Sequence, residues 1–161
     1  MADRKYAKYI LTEDRMKHSM PPELQEKMEK QKQAGNYVDE ELLFGIDDTV
    51  IKGAFYVGCA IHWEVVGEPV EREPSHRHEN FDEVIGFVGT VRNKPRDLGG
   101  EIEFWLEDEK YIITKSSLIF VPRGVKHSPT IYRRIDHPII SFSTGPARGS
   151  YQRKLVKHKE G

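Results

Sequence analysis

Between residues 42 and 144 the chain breaks into short segments of strand composition separated by turn residues, with eight to ten candidate strands in that interval. Valine, isoleucine and aromatic side chains crowd into the segments, while glycine, proline, asparagine and aspartate collect between them. Regular short strands with turn signals between them point to a two-sheet sandwich or a closed barrel. In residues 54–66, alternation puts Phe55, Val57, Cys59, Ile61, Trp63 and Val65 on one face and Tyr56, Gly58, Ala60, His62, Glu64 and Val66 on the other. The first face is the more apolar and is expected to meet the core. His62 then becomes a surface or interface histidine, and Cys59 a small core residue. In residues 101–107 the same argument turns Ile102, Phe104 and Leu106 inward, with Glu103 and Trp105 outward.

The flanks differ in character. Residues 1–41 form an arm in which Pro22 opens a short helix and Gly35 closes it. Glu23 with Lys27 and Glu26 with Lys30 have the four-residue spacing that supports a helix, and its apolar stripe is thin, essentially Leu24 and Met28. Residues 145–161 are basic and polar and read as a solvated tail, leaving 42–144 as the folded unit. Twenty-five basic against twenty-six acidic residues, a formal charge of −1, recommend neither nucleic acid nor a membrane surface as partner. A single cysteine suits a reducing compartment, and the charged N-terminus lacks an apolar leader, so a soluble cytoplasmic protein is expected.

Chemistry concentrates in residues 73–89. His76 and His78, one residue apart in an extended segment, point the same way. Residues 80–82 read as a turn, and Glu83 then opens an apolar strand; pairing across that turn would bring Glu83 to the side of the two histidines. Glu79 and Asp82 offer carboxylates nearby, but the apolar strand argues that Glu83 faces inward. Two imidazoles and a carboxylate make a metal site with open positions, suited to Fe(II), Mn, Ni or Zn. Downstream, an apolar strand runs into Pro122-Arg123-Gly124, where the chain can reverse before His127, the natural fourth ligand.

Together, His76-x-His78 followed by Glu83, and Pro122-x-Gly124-x-x-His127, resemble the paired motifs of the cupin superfamily over roughly residues 67–128. The resemblance implies an all-β, double-stranded β-helix, or jelly-roll barrel, with an N-terminal extension containing a short helix. It implies His76, His78, Glu83 and His127 as ligands of a divalent metal, with iron first and Mn, Ni or Zn as alternatives. The activity implied is a metal-dependent dioxygenase acting on a small organic acid or aromatic compound. An oxygen-independent isomerase, decarboxylase or lyase, and a binding protein with a structural metal, are the alternatives. Ile85, Phe87, Trp63 and Phe142 are expected to exclude water around a small-molecule substrate, and Arg123 to pair with a substrate carboxylate. A homodimer is also implied. No catalytic residue is assigned.

Overall fold

The computed structural model describes residues 4–16, 21–147 and 152–157. After a 3-10 turn at Ala7–Tyr9 and helix α1 (Pro22–Gln33), the chain is built from strands β1 (Tyr37–Ile46), β2 (Tyr56–Val66), β3 (Glu71–Glu73), β4 (His76–Arg77), β5 (Glu83–Gly89), β6 (Asp97–Leu106), β7 (Glu109–Lys115), β8 (Ser117–Val121), β9 (His127–Ile135), β10 (Ile139–Gly145) and β11 (Lys154–Leu155). Two antiparallel sheets result. One runs β1-β2-β10-β5-β8; the other runs β11-β4-β9-β6-β7, with β3 also paired to β9. The chain crosses repeatedly from one sheet to the other, as in a double-stranded β-helix. No helix among the described residues is long and apolar enough to cross a membrane.

The core lies between the sheets. Leu98, Ile102, Phe104 and Tyr132 from one side meet Phe87 and Ile139 from the other, and the Phe87 and Phe104 rings touch edge to face at 6.2 Å. Each such fully buried side chain stabilises the fold by roughly 1.5–3 kcal/mol. The expected inward turn of Ile102 and Phe104 is observed. Gly89 lets the two sheets approach: a Cβ there would stand 2.0 Å from the carbonyl oxygen of Asp97. β6 begins at Asp97, so the glycines at 99 and 100 belong to a strand and not to a long loop.

The expected phase of β2 is reversed. Tyr56, Ala60 and His62 are buried, whereas Phe55 and Trp63 are exposed. The reason lies in the neighbouring strands. Cys59, Phe142, Gly86 and Leu118 stand in register across β2, β10, β5 and β8, on the outer face of that sheet. That outer face is itself apolar, with Leu118 and Phe120 exposed, so hydrophobicity alone selects the wrong side of β2. A bulge skips Trp63 in the pairing with β1. The alternation is thereby reset, and Val65 returns to the core beside Val38.

β1 starts at Tyr37, ahead of residue 42, so the last part of the expected arm is barrel. Helix α1 is held on the outside by Leu24, its one buried residue, and by Lys27 donating to Glu71 at 2.7 Å. Trp105 is only partly exposed: its indole N–H donates to Glu103 at 2.8 Å and Lys110 lies over its ring.

Candidate metal centre and its cavity

His76, on β4, and His127, at the start of β9, are directly opposed across their strand pair. His78 follows β4 in the segment that leaves this sheet, and Glu83 is the first residue of β5 in the other sheet. β4 and β5 therefore do not form the expected hairpin; the ligand groups converge across the gap between sheets. Two contacts fix the crossing. The Gly124 N–H donates to the His78 carbonyl at 2.7 Å, and the Arg123 N–H donates to Asp82 Oδ1 at 2.9 Å. Gly124 adopts φ +81°, which the reversal before His127 requires. The turn of the second motif thus clamps the loop of the first.

One donor atom from each of His76, His78, Glu83 and His127 falls within 4.8 Å of all the others, and all four residues are buried. Glu83 Oε2 lies 3.0 Å from His127 Nε2 and 3.3 Å from His78 Nε2. On the far side of each ring, Nδ1 faces a backbone carbonyl: His76 to Pro74 at 2.8 Å, His78 to Gln152 at 2.7 Å and His127 to Val125 at 3.2 Å. A carbonyl only accepts, so Nδ1 carries the proton in all three rings and Nε2 keeps its lone pair toward the centre. This is how imidazole ligands are oriented around metals.

Electrostatics agree. Burial alone would raise Glu83, but its contacts with the His127 and His78 imidazoles outweigh that and hold it down to about 2. Burial, reinforced by neighbouring His127, pushes His76 down to about 3. The centre is a carboxylate at 2 % exposure, and among the described residues its only ion-pair contacts are those two histidines. His127 Nε2 is buried without an aligned hydrogen bond. A buried carboxylate held only by imidazoles, beside a ring nitrogen with no aligned partner, is costly. A divalent cation satisfies both, so the residues fit a metal.

Beside the cluster opens a cavity of about 630 Å³. Ile85 and Phe87 line it, as expected. Residue 142 contributes to the wall, but the Phe142 ring lies over Gly86 on the outer side of the sheet. Trp63 is 44 % exposed and is not part of the wall. Arg123 is exposed at its turn, 3.5 Å from Asp82, and does not reach the cavity either. The wall carries Arg72, Tyr132 and Ser141, which sequence reasoning passed over, and His62, which was expected at the surface or an interface but is buried here. Their signal was weak because they lie on four different strands and no local spacing groups them.

The basic tail contributes as well. β11 pairs with β4, Gln152 supplies the carbonyl that orients His78, and Arg153 is ion-paired with Glu73. Gln152, Arg153 and Leu155 line the cavity. The solvated-tail expectation fails here because β4 leaves an unpaired edge that this segment covers. Residues 148–151 and 158–161 of that tail lie outside the described residues.

No protein-family model matches the chain, and no curated protein matches it. Solved structures are similar in fold at low identity. KdgF from Halomonas sp. is 17 % identical, with 69 % of this chain covering 80 % of that one and a TM-score of 0.42. An uncharacterised conserved protein with a double-stranded β-helix domain from Klebsiella pneumoniae is 13 % identical, over 75 % of this chain and 85 % of that one, with a TM-score of 0.47. A sugar phosphate isomerase of the cupin superfamily from Silicibacter pomeroyi is 15 % identical, over 80 % and 66 %, with a TM-score of 0.49. These overlaps are too partial to carry an argument about chemistry. The two facing antiparallel sheets, and the four motif residues brought to one buried point between them, identify the chain as a cupin-fold protein with a candidate metal centre.

Proposed function

We propose that the protein is a metal-dependent enzyme of the dioxygenase type, acting on a small oxygen-bearing organic acid held in the cavity beside the centre. The observation that carries this reading is one ring nitrogen from each of three imidazoles and one carboxylate oxygen within 4.8 Å of one another, with every Nδ1 near a carbonyl. Three imidazoles and one carboxylate leave up to two positions on a six-coordinate ion; a bound Fe(II) would supply them for substrate oxygens and dioxygen. The chain's own contribution is to orient the ligands, exclude water with Ile85 and Phe87, and present polar groups to the substrate. Iron is the metal proposed, with Mn, Ni and Zn as the alternatives.

Oxygen uptake that requires added Fe(II) and a small hydroxy or keto acid tests this. Turnover that persists without oxygen would move the assignment to an isomerase, decarboxylase or lyase. A specific observation favours that second reading: the cavity wall carries an imidazole and several hydroxyls, which are proton-transfer groups.

The proposal extends to assembly. The outer face of the β1-β2-β10-β5-β8 sheet exposes Trp63, Leu118 and Phe120, and we place a second copy of the chain against it, as a homodimer. A soluble, cytoplasmic protein remains part of the proposal.

A further inference from the structure

The cavity holds a second cluster of reactive groups, separate from the metal ligands. His62 Nε2 lies 2.8 Å from Ser141 Oγ and 2.8 Å from the Tyr132 hydroxyl, and its Nδ1 stands 3.0 Å from Glu40 Oε2. Arg72 grips the other oxygen of that carboxylate, its Nε donating to Oε1 at 2.6 Å. Five strands from both sheets supply these five side chains.

Glu40 Oε2 and His62 Nδ1 are both buried and face each other at 3.0 Å. Burial would raise Glu40, but the contact with His62 and the guanidinium of Arg72 outweigh it and hold it down to about 2. The carboxylate is thus ionised and can only accept, so Nδ1 carries the ring proton and Nε2 its lone pair. That single lone pair has two hydroxyls at 2.8 Å and can accept well from one at a time. The two hydroxyls are also hydrogen-bonded to each other, so Tyr132, Ser141 and His62 share one network. Of the two, Ser141 is the less buried, and it lines the cavity.

We propose that Glu40, His62 and Ser141 form a proton relay that opens on the cavity, with His62 Nε2 as the base for a substrate whose other oxygen is held at the metal centre. The inference rests on the reading of this cavity as the substrate site. In the forward step the substrate O–H bond breaks, its electron pair stays on oxygen, and the proton passes to Ser141 as the serine gives its own to Nε2. The resulting imidazolium faces the Glu40 carboxylate, and return of the proton resets the relay. No oxidant or reductant enters. The substrate class is a small molecule with two oxygen functions, such as a hydroxy acid or hydroxy ketone.

Diethyl pyrocarbonate, a small reagent that acylates the free nitrogen of neutral imidazole, tests this on the full-length protein, with peptide mass spectrometry as the readout and exposed His137 as internal clock. His62 is expected to react in the wild type and faster in Ser141→Ala, where Nε2 loses its hydroxyl neighbour. In Glu40→Gln it is expected to react measurably more slowly relative to His137, because the ring loses the carboxylate that polarises its Nδ1–H. Since Glu40→Gln leaves Arg72 unpaired and can impair folding, ¹⁵N spectroscopy of the wild-type histidines provides a test without substitution, with Nδ1–H the expected tautomer. The Nε2–H tautomer, a His62 inert in both wild type and Ser141→Ala after His137 is fully modified, or an unchanged rate in folded Glu40→Gln would overturn the relay. Metal uptake is read separately: an inert His62 in a metal-binding protein overturns the relay alone. A reactive His62 in a protein that takes up no metal supports the relay and overturns the metal-dependent reading.

Discussion

Glu83 is the residue whose state depends most on its neighbours, being a buried carboxylate balanced by imidazoles. Glu83→Gln removes the anionic ligand while conserving shape. Metal affinity is expected to fall by more than about 100-fold, the upper end of what losing an outer partner costs, in a chelator competition. His76 gives a pH prediction for the metal-free protein. Its folded pKa lies below the ordinary value of 6.5, at about 3, so the folded state binds fewer protons than the unfolded one across that window. The stabilisation is fully present above about pH 6.5 and is lost as pH falls toward 3. Between pH 7 and 5 the group contributes a loss of about 2 kcal/mol, at 1.36 kcal/mol per unit, read as a lower urea midpoint at pH 5. All four ligand positions were legible in the sequence because the metal-type residues recur with turn residues of specific function: Gly124 does adopt the positive φ that its place before His127 suggested. His62, Glu40 and Ser141 were not, since their meeting depends on strand order, which no local spacing records.

Strands carry the next set of consequences. β11 covers the edge of β4 and brings Gln152 to the ring of His78, so a chain ending at residue 151 loses both the edge pairing and that carbonyl. Its affinity for metal is expected to drop about 10- to 100-fold, with the barrel still folded by circular dichroism. An unchanged affinity would show that β11 is dispensable. The tail was read as solvated because two residues of pairing leave no periodic trace. β2 was misread for a different reason: both faces of its sheet are apolar, and the bulge at Trp63 breaks the two-residue period on which the face assignment rested. The inward facing of Ile102 and Phe104 in β6 was read correctly because the residues between and before them, Glu101 and Glu103, are charged, although Glu103 is itself covered by Trp105 and Arg133.

At the scale of the molecule, the fold is a packed end and an open end. Phe104 and Ile139 pack the space between the sheets, Phe87 stands between that core and the cavity, and the candidate ligands lie beside the cavity. Phe104→Ala should cost about 3–5 kcal/mol by cavity formation, seen as a lower denaturation midpoint. The apolar outer sheet face gives a further expectation. Light scattering behind size exclusion should return a dimer at micromolar concentration, and Leu118→Glu with Phe120→Glu should return a monomer with its metal affinity unchanged. A wild-type monomer would remove that assembly. The central claim is that four side chains from two sheets hold one ion, and metal content by mass spectrometry of untagged protein tests it most directly. Near-stoichiometric Fe, Mn, Ni or Zn is expected in the wild type, with its loss from a folded His76→Ala, His127→Ala protein; a wild type that arrives metal-free and takes up none of these ions would overturn the metal centre.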